Sequence, residues 1–600
     1  MAWADDIDKI GQSWVHYIRI KPRVCTNTYG NSPCTASGGQ CAYSWATCED
    51  KDNFTLGTRT FEFSSKEGPK IFDGTQVQPT LEKVNELPTE INPSKSITIN
   101  ARVQLTFQDA KNPPPFDSDK GAGKFYTYRD GTFWRIFKRI YRESFKYCIL
   151  ELYEGLPSYT SISDFSLRRK LFINNIEILN NGKVRVTATD KTRSLKTIKI
   201  PNAISSSNIT TAQVTAGDSI IPVTDDSEFK ILSAGYSSYA KIIDSVAGDE
   251  YVKFTEIDST GALADVTRGL FGTSDVTHAA GKKVIQVAVF ADDTDTGIAV
   301  DLGVNPVDAM KEIILGWVGV DAADVDDTQF DAERDLWYIS PKFRRIVESP
   351  ITADKLLAQL RQFTMSNIWQ DEEQKLTFKA LAPIAPGESR VEFRTDENII
   401  DDSLSVNDKV ETQVSRIIIH FDPDDTWGTK DHTSEDEFNQ HLIWINTSAE
   451  DENGQADQVD IEFFADWIYN VEEAQIFASR YSRRYSPVAP VEIQFKATRR
   501  DAEVETGDFI DLTAEQFVDD DGSIDTLNFQ ILSKAESQNG IITMKALETK
   551  FEKKYGFIGP AGLPDWTSAS TAQRKYAYIA DTESDGTPYM SDGGPVTYIW

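Results

Sequence analysis

Hydrophobic and polar residues alternate along much of the chain, and this predicts a protein built mainly from β-strands. The clearest run spans residues 97–107, where Ile, Ala, Val, Leu and Phe occupy every second position. Strict alternation is typical of a strand with one buried face. Further strands are predicted at residues 14–20, 58–63, 147–154, 170–178, 183–189, 414–421, 491–497, 507–512, 529–534 and 541–547.

Four segments follow the period of an amphipathic helix instead. Residues 131–142 have an aromatic face opposite a basic one, and Asn305 followed by proline is typical of a helix start. Two more helices are predicted, from about residue 353 and over about residues 460–484. The basic face of the first helix, here the basic ridge, is either an ordinary solvated surface or a contact with carboxylates of a second copy or partner. It consists of Arg135, Lys138, Arg139 and Arg142.

A chain of 600 residues is too long for one hydrophobic core, so several domains are expected. Short β-rich runs separated by Thr, Ser, Gly and Asp mark a small inserted β-domain in the middle. The Gly- and Pro-rich end is predicted to be an extended tail that docks on a neighbour through spaced aromatic anchors. The predicted divisions are 1–66, 67–200, 201–292, 293–485, 486–554 and 555–600, and the anchors are Trp566, Tyr576, Tyr578, Tyr589, Tyr598 and Trp600.

The formal net charge of −32 argues against a protein that grips nucleic acid, because phosphates require a basic surface. An acidic surface would let DNA pass without adhering, because like charges repel, although a role in solubility alone also explains the negative charge. The first residues are acidic rather than basic and apolar, and no run of eighteen apolar residues occurs. We therefore expect a soluble protein made in the cytoplasm, without a signal peptide or stable membrane insertion.

Four of the five cysteines fall within 24 residues, with the spacing C-x8-C-x6-C-x6-C. Glycine, proline and small polar residues lie between them and favour tight turns. Structural zinc usually recruits cysteines in closer C-x2-4-C pairs, and two disulfides are typical of small secreted domains. An iron–sulfur cluster tolerates wide and varied spacing, because its iron atoms lie ångströms apart. These four residues, Cys25, Cys34, Cys41 and Cys48, are the candidate ligands, and zinc is the alternative to a cluster.

Signatures of catalysis are missing from the sequence. The glycines at 121–124 lack the remainder of a phosphate loop, no H-E-x-x-H pair and no G-x-G-x-x-G motif occur, and the acidic run at 519–522 lacks two calcium-ligand positions. We expect His16 to be a satisfied core or edge histidine, Cys148 to be a packing residue, and the protein not to be an enzyme.

The cysteine segment resembles the iron–sulfur domain of tail-tip proteins in lambda-type long-tailed bacteriophages. The resemblance is carried by the four cysteines together with Tyr29-Gly30 after the first and Trp45 between the third and fourth. It implies that Cys25, Cys34, Cys41 and Cys48 ligate one [4Fe–4S] cluster.

A second resemblance covers about three quarters of the chain. The phrases NPVDAMKEIILGW, SPITADKLLAQLRQF, NIWQDEEQKLTFKAL and VETGDFIDLT occur in an order that is similar to the central hub of phage tail tips and baseplates. This implies β-barrel domains linked by helical segments and assembled as a trimeric ring. In lambda-type phages the iron–sulfur domain and the hub belong to separate proteins, whereas here they are fused.

The expected fold is therefore multidomain and mainly β with α+β segments. It comprises β-barrel or sandwich hub domains, a β-rich insertion and an N-terminal four-cysteine loop domain. The expected function is a homotrimeric tail-tip hub in the virion, assembled in the host cytoplasm, which closes the tail tube and gates the passage of DNA. Expected partners are the distal tail protein, tail fibre and tape measure. The alternative is a tail-associated receptor- or glycan-binding protein, or a cell-wall-degrading one.

Overall fold

The structure is a computed structural model. It describes residues 13–37, 41, 43–68, 70–73, 75–87, 90–92, 97–99, 102–109, 132–141, 148–190, 195–233, 235–292, 303–338, 341–371, 375–382, 390–409, 414–425, 428–445, 460–485, 490–498, 504–518, 521–536, 541–549, 580–582 and 588–590. Within these ranges the protein is mainly β and is divided among several sheets, as the alternation predicts. No helix of this part of the chain is long and apolar enough to cross a membrane.

The first 200 residues build a closed barrel with the strand order β1-β11-β12-β13-β10-β7-β4. All neighbours pair antiparallel except β4 and β7, which run parallel. The strands are β1 (Val15–Lys21), β2 (Arg23–Cys25), β3 (Leu56–Thr58), β4 (Phe61–Ser65), β5 (Ile71–Phe72), β6 (Thr75–Gln76), β7 (Gln78–Leu87), β8 (Glu90–Asn92), β9 (Ile97–Ile99), β10 (Arg102–Gln108), β11 (Ile149–Gly155), β12 (Ser166–Ile178), β13 (Lys183–Thr189) and β14 (Lys199–Ile200). A 3-10 turn (Ile162–Asp164) precedes β12.

The predicted amphipathic helix, α1 (Phe133–Tyr141), fills the barrel core with its aromatic face. Trp134 stacks on Phe63 with ring centroids 5.4 Å apart and lies 4.8 Å from Phe107. On its opposite face, Lys138 Nζ donates to the Ile176 carbonyl at 2.8 Å, so part of the basic ridge contacts the barrel itself. Arg142 lies outside the described residues.

The long alternating run at residues 97–107 is divided between two sheets, which the local pattern does not reveal. Val103, Leu105 and Phe107 of β10 point into the barrel core as predicted. Strand β9 instead pairs with β8, which in turn pairs with the C-terminal sheet.

Residues 202–290 form a β-rich unit with its own core around Val214, Ile242, Phe254 and Leu263. Strand β21 also pairs with β22 of the following helical region, so the insertion is joined to it by a continuous sheet. The strands are β15 (Ile221–Pro222), β16 (Ser238–Ile243), β17 (Glu250–Phe254), β18 (Glu256–Ile257), β19 (Ala262–Ala264), β20 (Thr267–Leu270) and β21 (Lys283–Phe290), with a 3-10 turn at Asp226–Glu228.

The helical region shares one large core. Asn305 caps α2 by accepting from the Val307 N–H at 2.9 Å, as its position predicts. Its elements are α2 (Pro306–Lys311), a π-helix (Glu312–Val318), a 3-10 turn (Ala322–Asp324), α3 (Asp327–Trp337), β22 (Arg345–Val347), β23 (Ile351–Thr352), α4 (Ala353–Thr364), β24 (Ser366–Gln370), β25 (Leu376–Ala380), β28 (Arg416–Pro423), a 3-10 turn (Glu435–Glu437), β29 (Phe438–Ile445), β30 (Asp460–Ala465) and α5 (Val471–Tyr485).

The helix predicted over residues 460–484 is wrong in its first part. Residues Asp460–Ala465 form β30, which runs parallel to β28, and the helix begins only at Val471. The physical reason is the pairing with β28 forty residues earlier, which buries Phe463 and Ala465 on one face.

The C-terminal sheet has the order β26-β32-β33-β34-β31-β27. Its strands are β26 (Val391–Arg394), β27 (Ser405–Asp408), β31 (Val491–Thr498), β32 (Phe509–Val518), β33 (Ile524–Glu536) and β34 (Ile541–Glu548). Beyond it, the structure describes β35 (Ala580–Thr582) and β36 (Pro588–Met590) as a hairpin. The side chains of the predicted docking tail, including all its aromatic anchors, lie outside the described residues.

Candidate metal centre

The four-cysteine segment is an excursion between two adjacent strands of the barrel. Strands β1 and β4 pair within the barrel, and the chain between them leaves and returns through the short antiparallel pair β2 and β3. Cys25 is the last residue of β2 and lies opposite Leu56. The β2–β3 pair, which continues from the barrel strands, is therefore the stem of the cysteine loop, here residues 23–58.

Backbone hydrogen bonds fold the loop back on its stem. The Cys25 N–H donates to the Tyr43 carbonyl at 2.6 Å, and the Thr26 N–H donates to the Thr55 carbonyl at 2.9 Å. Cys34 closes a tight turn by donating to the Asn31 carbonyl at 2.7 Å. Gly30 enters this turn with φ +71°, a left-handed conformation that favours glycine.

The last cysteine follows a single 3-10 turn. This turn, Trp45–Thr47, ends where the Cys48 N–H donates to the Trp45 carbonyl at 3.2 Å. The Trp45 ring makes an edge contact with Phe54, with centroids 5.1 Å apart, and the Lys51 ammonium lies 5.5 Å from its centroid. The aromatic residue that carries part of the sequence resemblance therefore packs beside the cysteine site.

Asp50 ties the two arms of the loop together. Its Oδ2 accepts from the Thr35 N–H at 2.6 Å and from Thr35 Oγ1 at 2.9 Å, and Asn53 Nδ2 donates to it at 3.1 Å. The Thr35 N–H is the main reason that the pKa of Asp50 lies below its usual value. Because Thr35 directly follows Cys34 and Asp50 lies two residues after Cys48, this carboxylate links the chain beside the second cysteine to the chain beside the fourth.

All four loop cysteines are free thiols of intermediate burial, so they form no disulfide with one another. Burial raises the pKa of the Cys41 thiol, against the hydrogen bond from the Tyr43 N–H, and the charges of Cys48, Cys25 and Cys34 raise it further. Burial also raises the pKa of Cys48, to which Cys25 and Cys34 add. Thiolate charge on the other loop cysteines would therefore disfavour ionisation of Cys41 and Cys48, and a cationic centre would offset this effect.

No three of the four loop sulfur atoms lie within 4.8 Å of one another. Among the described residues, potential ligand atoms that lie within 4.8 Å of one another occur in two groups, and neither contains a cysteine. Four sulfurs around one zinc ion, at the usual Zn–S distance, lie about 3.8 Å apart.

The other residues considered from the sequence are not part of the four-cysteine group. Cys148 is fully buried in the barrel core, where desolvation raises the pKa of its thiol to about 12. His16 is buried in β1, and its Nε2 lies 3.9 Å from Glu154 Oε1. The acidic run at 519–522 ends in a turn between β32 and β33, where Ser523 donates to Asp521. The glycines at 121–124 lie outside the described residues.

The sequence analysis missed both groups of potential ligands that the structure does bring together. One is His420 with Glu435 and Glu462, and the other is His432 with Asp424 and Asp425. A search for paired histidines cannot find them, because each group has a single histidine. The density of carboxylates around His432 between residues 422 and 437 was the available signal.

No protein-family model matches the chain, and no curated protein matches it. Among solved structures, the chain is similar to a tail protein from Neisseria meningitidis MC58, with a TM-score of 0.37, 8% identity, and coverage of 80% of this chain and 94% of that one. It is also similar to the prophage tail protein gp18 from Listeria monocytogenes EGD-e, with a TM-score of 0.32, 7% identity, and coverage of 80% of this chain and 92% of that one. The similarity to a chain of the Francisella PdpA-VgrG complex has a TM-score of 0.32 and 10% identity, and covers 96% of this chain and 65% of that one. Similarity at these low TM-scores does not establish a shared fold or function.

Proposed function

We propose that the chain is the structural hub of the tail tip or baseplate of a long-tailed bacteriophage, and that Cys25, Cys34, Cys41 and Cys48 hold one [4Fe–4S] cluster in it. The observation that carries this proposal is the presence of four free thiols on one loop inserted between two barrel strands. The order of the hub-like phrases along the chain supports the tail role.

The donor set fits a cluster better than it fits zinc. Four thiolates are the usual ligands of a [4Fe–4S] cluster, whereas a single zinc ion needs its sulfur ligands about 3.8 Å apart and no three of these sulfurs lie within 4.8 Å of one another. When bound, the cluster would supply four iron–thiolate bonds that cross-link the loop. The chain's own part is to position the thiols, and it does so through the β2–β3 stem, the Cys25–Tyr43 hydrogen bond and the Asp50 bridge.

In the proposed hub, the barrel and the C-terminal sheet form the rigid body and three copies close into a ring. Strand β8 pairs with β33, and Lys545 Nζ lies 2.8 Å from Glu90 Oε1, so the two β-regions are joined across more than four hundred residues of sequence. The acidic composition suits a channel that DNA passes without adhering. We further propose that the chain contacts the distal tail protein, tail fibre and tape measure in the virion, and that it is assembled in the cytoplasm and is not an enzyme.

Anaerobic purification of the full chain tests the cluster. We expect brown protein with about four iron atoms and about four acid-labile sulfides per chain. Cys148→Ser is the matched control and should keep the colour, because that thiol lies in the barrel core and is not one of the four loop cysteines. Colourless protein that contains one zinc ion per chain would refute the cluster.

Electron microscopy of the purified full chain tests the ring. Class averages should show a closed particle with threefold symmetry. Open filaments, or single chains at micromolar concentration, would contradict a closed trimer.

A further inference from the structure

The acidic turn between β28 and β29 surrounds a buried histidine. His432 is 3% exposed, and its Nδ1 lies 2.7 Å from Oδ1 of Asp466, a residue that directly follows β30. The backbone N–H of His432 donates to the same oxygen at 3.3 Å. A carboxylate acceptor at this distance fixes the proton on Nδ1 and leaves a lone pair on Nε2.

The Nε2 atom has no hydrogen-bond partner, although it is fully enclosed. The nearest oxygens are Asp424 Oδ1 at 3.5 Å and Asp425 Oδ2 at 3.7 Å. These distances exceed those of a hydrogen bond, so a second proton on the ring would not be well satisfied either. A buried nitrogen lone pair facing two carboxylates is unfavourable unless a cation lies between them.

We propose that His432 Nε2, Asp424 and Asp425 bind a divalent first-row transition-metal ion, with Zn²⁺ or Mn²⁺ as the best matches. The three ligand atoms lie within 4.8 Å of one another, which one ion can bridge. A site with one imidazole and two carboxylates suits these ions, and its remaining positions would be filled by water or by a partner's side chain.

The surroundings resemble the outer shell of a metal site. An imidazole that donates its second N–H to a carboxylate is the common arrangement for a metal-binding histidine, and Asp466 provides it. Asp425 is oriented by the N–H groups of Gly428 at 2.6 Å and Thr429 at 2.7 Å. The Arg345 guanidinium lies 3.6 Å from Asp466 and offsets part of its charge. The bound ion would pin the acidic turn to the end of β30.

The neighbouring group is less suited to a metal. His420 Nε2 already contacts Glu462 Oε1 at 2.8 Å, so that nitrogen has a partner. Substitution of Glu435, the third member of that group, therefore tests which of the two groups binds the metal ion.

Mn²⁺ is the probe for this site, because the thiolates of the cysteine loop prefer softer ions. Mn²⁺ would be added to the chelator-treated full chain, and the free ion would be followed by its electron paramagnetic resonance signal. We expect one bound Mn²⁺ per chain, which Zn²⁺ displaces. No bound Mn²⁺ at millimolar concentration would overturn the proposal.

Conservative variants locate the ion. Asp424→Asn removes an exposed ligand and should weaken Mn²⁺ binding by about tenfold or more. Asp436→Asn, an equally exposed neutralisation in the same turn, should leave binding unchanged. As a second measurement, Zn²⁺ should raise the melting temperature of the wild type and of Asp436→Asn more than that of Asp424→Asn. Unchanged binding in Asp424→Asn, or binding lost in Glu435→Gln instead, would overturn the assignment.

Discussion

Gly57 is the position in the cysteine loop where the smallest possible substitution should have a measurable effect. It lies in β3 opposite Val24, beside the stem that carries Cys25. A Cβ at Gly57 would overlap the Thr26 Cγ2 methyl, whereas the next atoms, Thr26 Cβ and Val24 O, would be 3.7 and 3.9 Å away. The clash therefore comes from a single methyl group.

The cost of Gly57→Ala follows from the two ways in which the loop can relieve this clash. Rotation of Thr26 would break the hydrogen bond from its Oγ1 to the Thr55 carbonyl at 3.3 Å, a loss of about 0.5–1.5 kcal/mol. A backbone shift that separates β2 from β3 costs about 1–3 kcal/mol, as overpacking usually does. The loop will take the cheaper of the two, so we expect a local destabilisation of about 0.5–1.5 kcal/mol.

Hydrogen exchange of the β2 and β3 amides measures this effect directly. A loss of about 0.5–1.5 kcal/mol lowers protection by about 2- to 13-fold. Thr26→Ser removes the methyl and keeps the hydroxyl, so Gly57→Ala with Thr26→Ser should recover most of the protection. Unchanged exchange in Gly57→Ala, or failure of Thr26→Ser to restore it, would refute the packing described for the stem.

Three further predictions concern other parts of the chain. Burial raises the pKa of Glu473 from 4.5 to about 7, so the contribution of its carboxyl to the free energy of unfolding is complete below about pH 4.5 and is lost as the pH rises through 7. Calorimetry should show that Glu473→Gln removes about 3 kcal/mol of the resulting fall in the free energy of unfolding. An unchanged fall would contradict the raised pKa. Reversing the exposed Arg135 and Arg139 to Glu should impair ring assembly more at low salt than at high salt, and normal assembly would mean that the basic ridge is only solvated. Native Cys148 should resist alkylation at pH 8, since its thiol has a pKa of about 12, and rapid modification would contradict its burial.

Local patterns predict the elements whose reasons are local. The Asn-Asn-Gly turn at 180–182 joins the predicted strands β12 and β13, because those residues accept the turn's backbone conformation. The aromatic stripe of α1 is equally local. What the pattern cannot show is that this stripe fills a barrel whose strands come from both sides of it in sequence.

Long-range pairing explains the misses. The helix prediction fails at residues 460–465 because these residues pair with β28, which lies about forty residues earlier in the chain and is invisible to a local pattern. The cysteine loop could be predicted from its own residues. Its stem could not, because it depends on the pairing of Arg23–Cys25 with Leu56–Thr58, about thirty residues later in the chain. The His432 group was missed because Asp466, which orients the ring, is 34 residues away.

Native mass spectrometry of the anaerobically purified full chain tests the central claim most directly, because one spectrum gives both the copy number and the bound inorganic mass. The account predicts three chains with three [4Fe–4S] clusters, and the loss of every cluster when the loop cysteines are replaced by serine. A single chain without a cluster, or three chains that each carry one zinc ion in the cysteine loop, would contradict it.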